Sequence, residues 1–207
     1  MRQKNSEING IGLLVLRALS RARVPILTVA LTYFASVAIG IGMVHTGNAF
    51  ALAYRDNIVS KAQSSPILVA LDQDDRLRAA VLDFAANLFA AMANTVGGLG
   101  VIMAYPIVAY RGWIGGIVSI DSNHISRLAD SKEAAYYLIT LVLQLVPYSV
   151  SGGAGVHMGL AYLRPKSYYQ GDKWIGIPKE AIRDVLRIYL IVVPLFLVAP
   201  MWEFFAR

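Results

Sequence analysis

Residues 136–165 read YYLITLVLQLVPYSVSGGAGVHMGLAYLRP and carry no charge before Arg164, which constrains the chain more than any other feature. A helix rises about 1.5 Å per residue, so about 20 apolar residues cross a hydrocarbon core of about 30 Å. This run is longer than that, and Gln144, Pro147 and four glycines (Gly152, Gly153, Gly155 and Gly159) interrupt it. Pro147 lacks a backbone donor and crowds the preceding turn, while the glycines admit close helix approach. The pattern predicts two helical pieces packed inside a bundle, broken near Pro147.

Composition supports a membrane setting. Hydrophobic residues make up 57% and charged residues 15% of the 207, with mean hydropathy +0.54, well outside the soluble globular range. The absence of cysteine excludes disulfides, thiolate metal sites and cysteine nucleophiles. The formal net charge of +6 is not gathered into a basic stripe with interleaved aromatics, so no nucleic-acid partner is expected. A topological role for the basic residues fits better, with cytoplasmic segments carrying the excess.

Residues 1–23 hold Arg2, Lys4, Arg17, Arg21 and Arg23 against Glu7 alone. This flank is expected to stay cytoplasmic, either as an amphipathic helix in the headgroup region or as a basic lead into the first span. Residues 24–44 form a charge-free run too long for a signal core and are read as a retained span, with Pro25 able to open a helix. The polar segment 45–83 is expected on the outer side, with one or two amphipathic helices.

From 84 to 120 only Arg111 is charged. One helix of that length would reach about 55 Å, so the chain must turn back, giving a span at 84–104 and a short span or re-entrant piece at 107–120. Residues 121–133 carry two basic against three acidic groups, and 164–187 carry six against three. Both signs agree if 107–120 crosses fully, 134–163 returns inward and 185–205 runs outward. The expectation is therefore an all-α polytopic membrane protein, a helical bundle of five transmembrane spans in the plasma or inner membrane with a cytoplasmic N-terminus. Four spans plus a re-entrant segment is the alternative.

Asn87 and Asn94 share one helix face, and amides in hydrocarbon need partners, so that face should look into the bundle, with Gln144 as the natural partner. These groups either fix packing or, with Pro147, Tyr148, Ser149, Ser151 and His157, line a substrate or ion path. Small residues at four-residue spacing place Gly40, Gly97, Gly112, Gly116, Gly155 and Gly159 at close helix contacts, within one subunit or between subunits.

Ser149, Ser151 and His157 invite comparison with an intramembrane serine hydrolase. Ser151 and His157 are about 240° apart on a regular helix, and no carboxylate in the apolar runs is available to orient the His, so no enzymatic activity is expected. Asp121, Asn123 and His124 make only a weak metal signal, and a helix cap or loop hydrogen bonds account for them better. No cofactor or metal is expected.

Three features between residues 84 and 163 carry a family likeness: F-A-A-N at 84–87, G-W-I-G at 112–115, and a Pro-broken late span followed by small residues. In this order they resemble the stage II sporulation protein M family of membrane proteins. That family's late span carries Pro-His-Gly followed closely by Glu. Here Pro147, Tyr148 and Ser149 occupy the positions, with Ser or Gly in place of the Glu, so the proline carries over and the ionisable pair does not. The resemblance implies a multi-span helical protein acting within a larger envelope or transport assembly. Its partners would be the bilayer and either further copies of itself or other membrane proteins, docked through the basic loop 164–184 and the residues just beyond it: Arg164, Lys166, Lys173, Lys179, Arg183 and Arg187.

Overall fold

The computed structural model describes residues 2–164, 169 and 171–206, with side chains from residue 10 onward. Helix starts follow side-chain caps. Asn48, Ser65, Asp75 and Asp130 each present an oxygen to backbone N–H groups of the first turn, and they open α2 (Ala49–Gln63), α3 (Pro66–Asp72), α4 (Arg76–Gly98) and α6 (Ser131–Leu163). Upstream lies α1 (Arg2–His45), α5 (Ala104–Ile117) falls between α4 and α6, and α7 (Lys179–Phe205) closes the chain. Before α7 a two-residue hairpin pairs β1 (Lys173–Trp174) with β2 (Ile177–Pro178), turning at Ile175 and Gly176, which both have positive φ.

Four helical segments are long and apolar enough to cross a membrane: Gly10–His45, Arg76–Gly98, Ser131–Leu163 and Lys179–Phe205. The expected third span at 107–120 takes the form of α5, which has 14 residues and rises only about 21 Å. It runs parallel to α1, since Tyr105 pairs with Thr28, Gly112 lies against Tyr33 and Gly116 against Val37. Its C-terminal end therefore sits level with the end of α1. There His45 Nε2 meets Ser126 Oγ at 2.8 Å and Arg55 of α2 donates to the carbonyl of Ile120. Lys179 starts α7 six residues earlier than the expected span at 185.

Two expected breaks are absent. Residues 2–45 form one helix through Pro25, so the lead and the first span are continuous, and α6 continues through Pro147. Side-chain hydroxyls and an amide add hydrogen bonds to carbonyls at and just after each proline. In α1, Thr28 Oγ1 donates to Pro25 O, Thr32 to Thr28 O and Ser36 to Thr32 O. In α6, Ser151 Oγ and Asn94 Nδ2 both reach Tyr148 O, and Thr95 Oγ1 donates to Ser151 O at 2.9 Å.

Glycine seams bring the helices together. A Cβ on Gly40 would stand 2.5 Å from Trp113 O, and one on Gly112 would stand 2.5 Å from Tyr33 O, so α1 and α5 are in backbone contact. A Cβ on Gly155 would overlap the backbone of Thr95, and one on Gly159 would come within 2.6 Å of Gly98 O and Leu99 O, which joins α6 to α4. Gly98 makes the close approach on α4. Its neighbour Gly97, the expected contact, meets only the side chains of Ile107 and Met103. Around these seams Val29, Tyr33, Val108, Tyr148, Val156, Ile188, Val192 and Phe196 form one buried cluster.

Candidate functional site

Polar side chains gather at two levels of this bundle. The first lies in its interior. Asp83 and Asn87, one turn apart on α4, are joined by Asn87 Nδ2 donating to Asp83 Oδ2 at 2.8 Å. Tyr148 of α6 donates its hydroxyl to Asn87 Oδ1 at 2.7 Å and accepts from Arg111 Nη1 of α5 at 2.7 Å. A carboxylate on one helix is thus connected to a guanidinium on another through an amide and a phenol. The ring of Tyr148 is fixed by Phe196 of α7, edge to face at 4.9 Å.

Lower on α4, Thr95 Oγ1 meets Tyr189 Oη at 2.7 Å, so α7 enters the same network. Two buried atoms, Asn94 Oδ1 and Ser149 Oγ, have no hydrogen-bond partner among the described residues. Of the residues expected to line a path, Asn87, Asn94, Tyr148 and Ser151 come together here. Gln144 does not join the amides: its Nε2 points to Glu203 Oε2 on α7 at 3.5 Å, toward the opposite end from His157.

The second level is the end of the bundle that holds Arg21 and Arg164. Asp184 of α7 is fully buried and accepts from Arg21 Nε at 2.6 Å, Tyr169 Oη at 2.9 Å and Arg187 Nη1 at 3.1 Å, with a second, very short contact from Arg21 Nη2. Tyr169 has a single hydroxyl proton and gives it to Asp184. The close contact between Tyr169 Oη and His157 Nε2 therefore requires His157 to be the donor. His157 Nε2 lies 3.9 Å from Asp184 and is linked to it through Tyr169, so a carboxylate is near it, contrary to expectation, and it comes from the charged start of α7 rather than from an apolar run.

Neither serine joins His157. Ser151 Oγ donates to Tyr148 O, and Ser149 Oγ is among the unpartnered atoms, so neither is in hydrogen-bond contact with His157 among the described residues. The basic docking set is partly consumed within the fold: Arg187 is turned onto Glu180 and Asp184, Arg183 reaches Glu180 at 3.4 Å, and Lys179 pairs with Asp172 at 3.0 Å. Arg164 and Lys173 remain exposed, and Lys166 lies outside the described residues.

At the far end, Asp121 accepts from the backbone of Asn123 and Ile125, both at 2.8 Å, which holds its carboxyl below the usual carboxylate range, the Ile125 bond contributing most. Asp56 is held low by Arg55 first and then by His124, whose Nε2 lies 3.0 Å from Asp56 Oδ2. Asp121, Asn123 and His124 thus close a loop onto α2. No group of three or more His, Cys, Asp or Glu positioned for a metal ion occurs among the described residues.

Asp83, Arg111, Tyr169 and Asp184 were not singled out by the sequence. The one available signal was spacing, since Asp83 stands four residues before Asn87 on the same helix face. No family model, curated protein or solved structure matches this chain.

Proposed function

We propose that this chain is a non-enzymatic integral membrane subunit that works by helix packing and docks other proteins, or further copies of itself, through its basic end. The observation that carries the reading is the closed state of the interior: Asp83, Asn87, Tyr148 and Arg111 satisfy one another across three helices. Intramembrane ionisable groups are functional candidates by default, and here their partners are structural ones. The resemblance to the stage II sporulation protein M family supports the same role in an envelope or transport assembly.

The proposed topology has five crossings, with the N-terminus cytoplasmic and the C-terminus outside. Support comes from the positive balance of residues 1–23 and 164–187, and from α5 ending beside the C-terminal end of α1. Single cysteines at Ser122 and Ala206 test it, both expected to react with an impermeant thiol reagent from outside. Labelling of Ser122→Cys only from the cytoplasm overturns it.

For the docking role, the full chain is purified in mild detergent and its mass measured by light scattering, alone and after Arg164→Glu with Lys173→Glu. A specific assembly that the reversal dissolves is expected. Lone monomers, after in-cell cross-linking has also given no adduct, refute the role.

A small permease is the second reading, supported by the unpartnered Asn94 Oδ1 and Ser149 Oγ in the bundle interior. Ion flux in proteoliposomes that Asn94→Ala abolishes would favour it over docking.

A further inference from the structure

Between the Arg21 end of α1 and the C-terminal part of α6 lies a cavity of about 540 Å³. Its lining includes Ser20, Arg23, Val24, Leu160 and Arg164, and no carboxylate is among the described lining residues. Arg21 also borders it, but its guanidinium is turned onto Asp184. Arg23 and Arg164 are exposed, and neither makes a side-chain hydrogen bond or ion pair among the described residues. Two cations, one on α1 and one just past the end of α6, therefore face one space without an internal counter-charge, and the Ser20 hydroxyl adds a neutral donor.

The surface leading away from this cavity is apolar. Val24, Leu27, Leu31 and Phe34 are each more than 60% exposed and follow one another at three- and four-residue spacing, so they form a single stripe along α1. From Val24 to Phe34 the stripe extends about 15 Å, half of a hydrocarbon core of about 30 Å and hence the depth of one leaflet. A cationic pocket at a helix end, continuous with an apolar stripe of leaflet depth, matches a molecule with an anionic head and acyl tails.

We propose that Arg23 and Arg164, with Ser20, bind the phosphate of an anionic phospholipid whose acyl chains lie along Val24 to Phe34. This lipid site shares Arg164 with the proposed docking surface but does not depend on docking, because its test reads lipid retention and the docking test reads assembly mass. Basic pockets between membrane helices suit such headgroups, and each arginine at the membrane surface contributes about fivefold in affinity. Free inorganic phosphate shares the head chemistry but has nothing to place on the stripe.

The experiment is native mass spectrometry of the full-length protein released from detergent, with added phosphatidylglycerol or phosphatidylcholine. Wild type is expected to retain phosphatidylglycerol preferentially, with retention unaffected by excess glycerol phosphate or inorganic phosphate. Arg23→Gln and Arg164→Gln should each weaken retention about fivefold, and the pair about thirtyfold. Arg78→Gln with Lys132→Gln, at the opposite end, removes the same charge and should leave retention unchanged. Equal retention of the two lipids, equal loss in the control pair, or displacement by glycerol phosphate overturns the proposal. Both arginines are exposed, so a folded variant is expected, and an unchanged elution volume verifies it.

Discussion

The two ends of the bundle use the same chemistry to opposite effect. At one end Asp184, with a side chain 0% exposed, collects Arg21, Arg187 and Tyr169. At the other end Asp56, with a side chain 48% exposed, meets Arg55 and His124. Water competes for Asp56 and screens its pairs, so they fix a loop at little energetic consequence. Asp184 has no water to return to, and every donor around it matters.

The largest test of that contrast is Asp184→Ala. Removing one partner of a buried pair is expected to cost about 3 kcal/mol or more, read as loss of denaturant stability in detergent micelles. A double replacement, Arg21→Met with Asp184→Leu, should recover most of it, because no charge is left buried and unpaired. If Asp184→Ala is as mild as Asp56→Ala, burial is not what separates the two ends.

Next in size comes the glycine seam beside the buried end. Gly155→Ala forces α6 away from Thr95 and should destabilise by about 1 to 3 kcal/mol, whereas Gly97→Ala meets only movable side chains and should be near neutral. Equal effects would mean that α4 and α6 have slack at this contact.

Tyr148→Phe opens the interior chain and leaves Asn87 Oδ1 and Arg111 Nη1 without their phenol. The expected loss is about 1 kcal/mol, since interhelical hydrogen bonds in membranes contribute modestly. Its neighbour Ser149→Ala removes a hydroxyl that has no partner among the described residues and should not destabilise, which the same unfolding curves check.

The smallest effect belongs to the exposed end and depends on pH. Folded Asp56 and Asp121 carboxyls are held below their ordinary range, so the unfolded chain binds protons first as pH falls. Their contribution is complete above that range and is lost as pH drops through it toward their lowered folded values. The midpoint of thermal unfolding should fall on acidification, and Asp56→Asn with Asp121→Asn should flatten the slope. A slope unchanged in the double variant assigns the acid sensitivity elsewhere.

The four long spans were legible in the sequence because hydropathy and length are properties of each segment alone. Gly40, Gly112, Gly116, Gly155 and Gly159 were legible too, since four-residue spacing already puts them on helix faces. Partner choice was not. Gln144 was assigned to the amides of α4 and instead reaches Glu203, and His157 was denied a carboxylate that α7 supplies. Pairings between residues far apart in the chain depend on helix rotation and register, which no local pattern encodes.

By itself, then, the sequence determined that this chain is helical, apolar at membrane length and tightly packed through glycines, because each of these follows from local periodicity and composition. Only the tertiary structure decided that Pro25 and Pro147 lie inside unbroken helices, because α1 and α6 pack against each other beside them, with Gly153 against Ile26 and Gly152 against Val29, and such contacts offset a proline's local cost. It also decided which charges are buried. Asp184 and Asp172 read alike in the sequence, and the packing of α1 and α6 against α7 makes the first the centre of a network while the second stays at the surface.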